Sequence, residues 1–447
     1  MNVNTIIPQS TSVRRRQIAS QLFHTAAIRV LSMGARAVTF ALVVRLLSPG
    51  GYGWYALINT TIYISVGLAT LNLNSYLIRE LPNREEGTQY AILRGLLGPL
   101  LIVNAVVAGL VATLGEVFVP SGRAYLIPVV ALVYLFGVAN DLTENFFLGC
   151  KRIRNANWMT AGRAISMAAL LTVLAMSGLR SLEATVGALL GAEVFAFLLA
   201  ARWLHWSLFW RAMAPQGLWR QSLAYSLPLL AASLGFMMMK FGDKYLIARY
   251  LSVVDVARYT FAYSLVNMAY GLTVLVSNSV LVPHIMGAEN DSDLRERNRQ
   301  IVRATKLGVY GLLVFALVYA VFPARLWVLF TGHSEYVGVK GLTLVLAVAS
   351  LLSVAGNPAS FVLLAKRRTA VLGSIDVAGV VLLAALNILL LPAMGLYGAG
   401  LGAAISFGVT SASKHLVVWR EKLFDSRILM DLSDEKWVLN RMVRFDS

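Results

Sequence analysis

The chain of 447 residues is 58% hydrophobic and only 14% charged, with a mean hydropathy of +0.68. A soluble protein carries charge on about a quarter of its residues, so a soluble reading is excluded. The 39 Lys+Arg against 22 Asp+Glu leave a net charge of +17, a surplus that in a soluble chain would raise nucleic acid as a partner; membrane topology accounts for it here, and no nucleic-acid partner is expected.

Apolar stretches of ~20 to 25 residues recur along the sequence, each long enough to cross a ~30 Å hydrocarbon layer as a helix. In chain order the expected spans are 20–46, 54–78, 89–114, 125–149, 157–178, 184–207, 222–250, 257–283, 303–324, 338–364, 370–392 and 396–419. The fold class expected is an all-α polytopic membrane protein of about twelve transmembrane helices. A cytosolic segment (1–19) leads into a six-helix bundle (20–207). A cytosolic linker (208–221), a second six-helix bundle (222–419) and a cytosolic tail (420–447) follow. The first apolar run carries two arginines and no small-residue cleavage site, so it reads as a retained helix. The longest polar break, Gly287 to Gln300, reads as a cytosolic linker. The tail intersperses Leu423, Phe424, Ile428, Leu429, Trp437, Val438 and Val443 with charges, which predicts an interfacial helix. No loop is large enough for a soluble catalytic domain, so the chain does not read as an enzyme.

Placing residue 1 in the cytosol puts 27 of the basic residues in inside segments, among them Arg14 to Arg16, Lys151, Arg152, Arg154 and Lys366 to Arg368. Eight fall in outside turns, Lys244 among them. That asymmetry places both termini inside by the positive-inside rule. Cys150 is the only cysteine and sits beside Lys151, so no intramolecular disulfide can form. The histidines His24, His205, His284, His333 and His415 are scattered, and neither a metal site nor a cofactor is expected.

The sequence repeats weakly. A shift of 204 residues lays Arg16 on Arg220, Arg36 on Lys240, Arg45 on Arg249 and Tyr55 on Tyr259. Phe146 to Lys151 matches Phe361 to Lys366 at 215, and Gly187/Gly191 matches Gly398/Gly402 at 211. Each half begins on the same side, so the repeats are parallel and a central cavity is expected between them.

A charge at mid-bilayer costs about 2.5 to 3.5 kcal/mol, so charged residues within spans should face water or partners. Thr25, Arg29, Ser32 and Arg36 follow steps of four, three and four, which places them on one helix face. The seventh span carries Ser226, Ser233, Lys240 and Asp243, the last two within pairing distance along a helix. The eighth carries Tyr259, Tyr263, Asn267, Tyr270 and Asn278 near helical spacing, a stripe suited to stacking on sugars. Asn59, Asn72 and Asn74 belong to the second span. Arg29, Arg36 and Lys240 would serve a diphosphate, since guanidinium and ammonium groups match phosphate oxygens. Structural pairing is the alternative: Arg29 or Arg36 with Glu193, Arg163 with Asp141, Lys240 with Asp243. Asp243, Asp376, Glu193 and Asp141 are the carboxylates placed to bind a proton or Na⁺ in an ion-coupled cycle.

Leu42 to Ala56 (LVVRLLSPGGYGWYA), Asn74 to Glu80 (NSYLIRE) and Asp243 to Leu265 (DKYLIARYLSVVDVARYTFAYSL) together resemble the polysaccharide transporter family. These are Wzx-type lipid-linked oligosaccharide flippases within the multidrug/oligosaccharidyl-lipid/polysaccharide (MOP) superfamily. The resemblance implies two six-helix bundles in a MATE-like V around a cavity that opens alternately to either side. It implies an undecaprenyl-diphosphate-linked repeat unit as cargo, exported for O antigen, capsule or exopolysaccharide, with membrane lipids, a polysaccharide polymerase and a chain-length regulator as partners. On that reading the substrate-binding residues are Arg29, Arg36, Lys240, Thr25, Ser32, Asn59, Tyr263 and Asn267. Ala257-Arg258 departs from the family pattern, where a glycine followed by an apolar or small residue is more usual. A cation-coupled drug exporter of the same superfamily and a membrane polysaccharide polymerase are the competing functions. Span-one arginines would repel a cationic drug, and a polymerase would be expected to carry a large external loop.

Overall fold

The computed structural model describes residues 11–82, 84–211, 213–287, 291–321, 325–366 and 368–421; the side chains of 11–24, 26, 272–301, 303, 304, 307, 325–327 and 365 lie outside the description. In chain order the helices are α1 (Thr11–Leu46), α2 (Pro49–Ala69), α3 (Leu73–Glu80), α4 (Glu86–Thr113), α5 (Gly115–Phe118), α6 (Leu126–Gly149), α7 (Ile153–Met176), α8 (Leu182–Trp203) and α9 (Trp206–Arg211). They continue as α10 (Leu218–Phe241), α11 (Asp243–Tyr250), α12 (Val253–Gly287), α13 (Asp291–Val321), α14 (Arg325–Thr331), α15 (Lys340–Ala355), α16 (Asn357–Ala365), α17 (Thr369–Met394) and α18 (Leu396–Arg420), with a 3₁₀ segment at Ser334–Val339. No strand occurs among the described residues. Hydrocarbon offers no partner to backbone N–H and C=O groups, and a helix satisfies them within one segment.

Each expected span falls on one of these helices or on a consecutive pair. Among the described residues nine helices are long and apolar enough to cross a membrane, or ten if α2 and α3 form one broken span. The break lies at Thr70–Asn72, where Leu71 and Asn72 both take positive φ (48° and 54°). One expectation is corrected: most of the polar stretch from Gly287 to Gln300 is helix, because α13 begins at Asp291 and carries the charges on its first turns. The interfacial helix expected after residue 420 and the first ten residues lie outside the described residues.

The residues pack as two compact units. The first comprises Met1–Leu46, Ala69–Thr113 and Tyr125–Leu223, the second Leu47–Leu68, Leu114–Ala124 and Ala224–Ser447. In the first, α1 lies along α7, α6, α7 and α8 pack mutually, and α3 and α4 lie against α6. Its interior is aromatic: Tyr90 is fully buried, meets Phe146 edge-on at 5.2 Å and accepts a hydrogen bond from the His205 backbone N–H at 2.9 Å. Gly149 at the end of α6 lies so close to the Leu77 backbone that a Cβ there would collide with it.

In the second unit, α17 and α18 form an antiparallel hairpin, α15 packs on α18, and α12, α13 and α15 lie together. The hairpin turns at Gly395, whose φ of 57° favours a residue without a Cβ. Small residues bring these helices close, as expected where helix association rests on van der Waals contact: Gly379 faces Thr410, and Gly402 faces Asn387. At the start of α12, Ser252 Oγ donates to Asp255 at 2.7 Å and Arg258 pairs with Asp255 at 3.1 Å. The departure at Ala257-Arg258 is thereby accommodated: Ala257 is fully buried and Arg258 is paired outside it.

Two turns share one backbone hydrogen-bond pattern. After α6, Cys150 N–H donates to Phe146 O and Arg152 N–H to Phe147 O at 2.8 Å; after α16, Lys366 N–H donates to Val362 O and Arg368 N–H to Leu363 O at 2.8 Å. Arg152 (φ −87°, ψ 53°) and Arg368 (φ −83°, ψ 43°) then cap α7 and α17. The two turns superpose at a shift of 216, one residue from the shift of 215 read from side-chain identity.

Candidate functional site

In the first unit, α1 presents Thr25 and Arg29 half-buried, Ser32 buried and Arg36 exposed. Because α1 lies along α7, Arg29 Nε donates to Asn157 Oδ1 at 3.5 Å. Glu193 is taken by Arg163 instead of by Arg29 or Arg36, the pairing open on spacing alone. Arg163 Nη1 lies 3.4 Å from Glu193 Oε1 and Nη2 lies 3.8 Å from Glu144 Oε2. The expected Arg163–Asp141 pair is likewise replaced: Asp141 accepts from Asn74 and Asn145 side-chain amides and pairs with no cation among the described residues. Asn140 Nδ2 donates to Glu193 Oε2 at 2.7 Å and Thr160 Oγ1 to Glu144 Oε1 at 2.7 Å. Two carboxylates, Glu193 and Glu144, thus meet one guanidinium.

In the second unit the expected Lys240–Asp243 pair does not form. Asp243 is buried at the first turn of α11, where the helix dipole favours an anion, and Tyr259 donates its hydroxyl to it. Lys244, assigned by topology to an outside turn, is buried inside this cluster; its Nζ donates to Thr60 Oγ1 at 3.1 Å and lies 5.1 Å from the Phe241 ring centre. Lys240 is half-buried at the end of α10. Its Nζ lies over the rings of Tyr270 at 4.1 Å and Phe236 at 4.6 Å, and it forms no ion pair among the described residues. Tyr263 stacks on Tyr259 and meets Phe241, so two members of the tyrosine stripe are engaged within the unit. Asn59 on α2 and Asn267 on α12 are exposed; the side chain of Asn278 lies outside the described residues.

Asp376 on α17 pairs with Lys414 on α18 at 2.6 Å, both buried. Lys414 lies within the expected span 396–419. The signal for it in the sequence is the run Gly402, Ser406, Thr410, Lys414, three steps of four residues along one α18 face, which marks it as inward-facing. Among the described residues no group of three His, Cys, Asp or Glu could hold a metal ion.

The sequence pattern of the polysaccharide biosynthesis protein family matches residues 18–288. No curated protein matches the chain in sequence. Among solved structures, an inward-facing multidrug resistance MATE family transporter of the MOP superfamily is similar with a TM-score of 0.66 at 15% identity, over 90% of this chain and 96% of that one. The lipid II flippase MurJ in an inward closed conformation is similar with a TM-score of 0.66 at 12% identity, over 94% and 93%. A MATE transporter of Vibrio cholerae is similar with a TM-score of 0.53 at 14% identity, over 93% and 99%. At these identities the structural likeness establishes the fold, and the family match establishes membership. The chain is an all-α, multi-pass membrane protein of the MATE-like fold, and it belongs to the polysaccharide biosynthesis protein family, whose structural neighbours are transporters and flippases of the MOP superfamily.

Proposed function

We propose that this protein flips an undecaprenyl-diphosphate-linked oligosaccharide from the cytosolic to the periplasmic leaflet of the inner membrane by alternating access, with both termini in the cytosol. The product feeds a surface polysaccharide, O antigen, capsule or exopolysaccharide, through a polymerase and a chain-length regulator. No covalent bond is made or broken. The observation that carries the reading is Lys240, an intramembrane ammonium that aromatic rings hold and no carboxylate neutralises among the described residues. A cation kept in that state suits an anionic cargo and disfavours a cationic drug, since like charges repel. The residues assigned to substrate are Arg29, Arg36 and Lys240 for phosphate oxygens and Thr25, Ser32, Asn59, Tyr263 and Asn267 for hydroxyls of the sugar. The same reading assigns ion coupling to the carboxylates Asp141, Asp243, Asp376 and Glu193, of which Glu193 and Asp376 form salt bridges with Arg163 and Lys414.

The test is the triple substitution Arg29→Gln, Arg36→Gln, Lys240→Gln in a strain dependent on this protein. Surface polymer is expected to be lost while the protein still inserts, with single repeat units accumulating on the cytosolic leaflet. Undiminished polymer would overturn the reading, and accumulation on the periplasmic leaflet would point to a polymerase instead.

A further inference from the structure

Among the lysines within the helices of the second unit, Lys414 and Lys244 are each met by a carboxylate. Lys414 pairs with Asp376 at 2.6 Å, and Lys244 lies beside Asp243 with its Nζ on Thr60. Lys240 differs in its surroundings. It sits in the last turn of α10, the end of the helix dipole that favours a cation, and its remaining stabilisation comes from ring faces. Phe236 is one turn earlier on the same helix, and Tyr270 reaches across from α12; both ring centres lie within the distance at which a cation is attracted by the π face. The Tyr270 ring is itself anchored, because the Asn357 side-chain amide at the start of α16 donates to its hydroxyl. Pro358 follows at the beginning of that helix and fixes the backbone that carries Asn357.

A carboxylate counter-ion would stabilise Lys240 and also compete with any incoming anion, which would have to displace it. Ring faces attract the ammonium without cancelling its charge. We propose that Phe236, Tyr270 and Asn357 form a clamp that holds Lys240 as an uncompensated cation, so that it receives the diphosphate of an isoprenoid-linked cargo without first breaking an ion pair. The clamp rests on the proposed flippase function and specifies its ligand class at this position, an isoprenoid diphosphate. Phe236, Tyr270 and Asn357 act through Lys240 and are positioning residues. Lysine suits the place better than arginine, since a compact ammonium on a flexible stem can leave the rings for the phosphate without losing a planar hydrogen-bond fork.

The experiment is calorimetric titration of the purified full-length protein in detergent with farnesyl diphosphate. Lys240→Gln and Phe236→Glu, the latter placing a carboxylate one turn from Lys240, are each expected to weaken binding at least tenfold, and Phe236→Gln, which removes the ring without adding charge, about threefold. Equal effects of Glu and Gln at 236 would overturn the clamp. Should Phe236→Glu fail to fold, Asn357→Asp places a carboxylate at the Tyr270 hydroxyl and is expected to weaken binding likewise; unchanged binding there also overturns it. Absence of binding by the unsubstituted protein would overturn both the clamp and the function. Binding that depends on the charge at 236, together with undiminished polymer in the triple Gln strain, would overturn the function and leave the clamp standing.

Discussion

Substituting Arg163 and Glu193 separately by Gln should produce unequal losses of stability, although the two side chains form one ion pair. At an effective dielectric of about 20, a unit charge pair at the 3.4 Å of Arg163–Glu193 is worth about 5 kcal/mol, and one at the 3.8 Å of Arg163–Glu144 about 4 kcal/mol, before desolvation is charged against them. The Arg163 side chain is 32% exposed, so water screens part of this, whereas Glu193 is only 9% exposed. Arg163→Gln withdraws both attractions and strands Glu193 as a buried, unpaired charge, a situation that costs about 3 to 5 kcal/mol. Glu193→Gln withdraws one attraction, retains an amide oxygen to accept from Arg163, and removes the surplus negative charge of the two carboxylates on one guanidinium; about 1 kcal/mol is expected. At about 2 to 4 °C per kcal/mol for a cooperative unit of this size, Arg163→Gln should lower the midpoint of thermal unfolding by about 10 °C and Glu193→Gln by about 3 °C. Unfolding in detergent followed by tryptophan fluorescence reads both. Equal shifts, or a larger one for Glu193→Gln, would refute the inference that the cluster carries excess negative charge.

Asp376→Asn alone should destabilise by about 3 to 5 kcal/mol, because it leaves Lys414 charged and buried; the double variant Asp376→Leu, Lys414→Leu should recover most of that, and a double variant as unstable as the single would show that the pair does more than neutralise itself. Half-buried Cys150 has its thiol pushed up to about 12, chiefly by burial with the Glu86 carboxylate adding to it and Arg152 opposing. The thiolate is the reactive form, so the folded protein should take up maleimide slowly at pH 7.5, with a rate rising about tenfold per pH unit through pH 9, and rapidly once denatured. Fast labelling of the folded protein at pH 7.5 would contradict that environment.

The fold was legible because the membrane enforces it: a run such as 125–149 has no alternative to a helix in hydrocarbon, and α6 occupies Leu126–Gly149. Gly287 to Gln300 misled because a polar run signals a loop in a membrane chain, while Glu, Arg and Lys are also good helix formers once outside the hydrocarbon. Pairing inside the units was less legible. Helical spacing groups residues of one helix and says nothing about which helix faces which, so Arg163 could be given Asp141 as readily as its true partners Glu193 and Glu144. The Lys240–Asp243 pair failed for another reason. α10 ends at Phe241 and α11 begins at Asp243, so the three-residue step does not run along one uninterrupted helix. Asn357 left no trace in the sequence, since its role depends on a contact with Tyr270 from another helix.

A membrane protein with a single, muted thiol offers a ready-made background for spectroscopy. Pairs of cysteines introduced on exposed positions of α4 and α17, such as Ile102 and Val381, can carry spin or fluorescent labels while Cys150 stays silent, with no native residue removed. Distance distributions collected with and without cargo would then report how many shapes the protein visits in its working cycle.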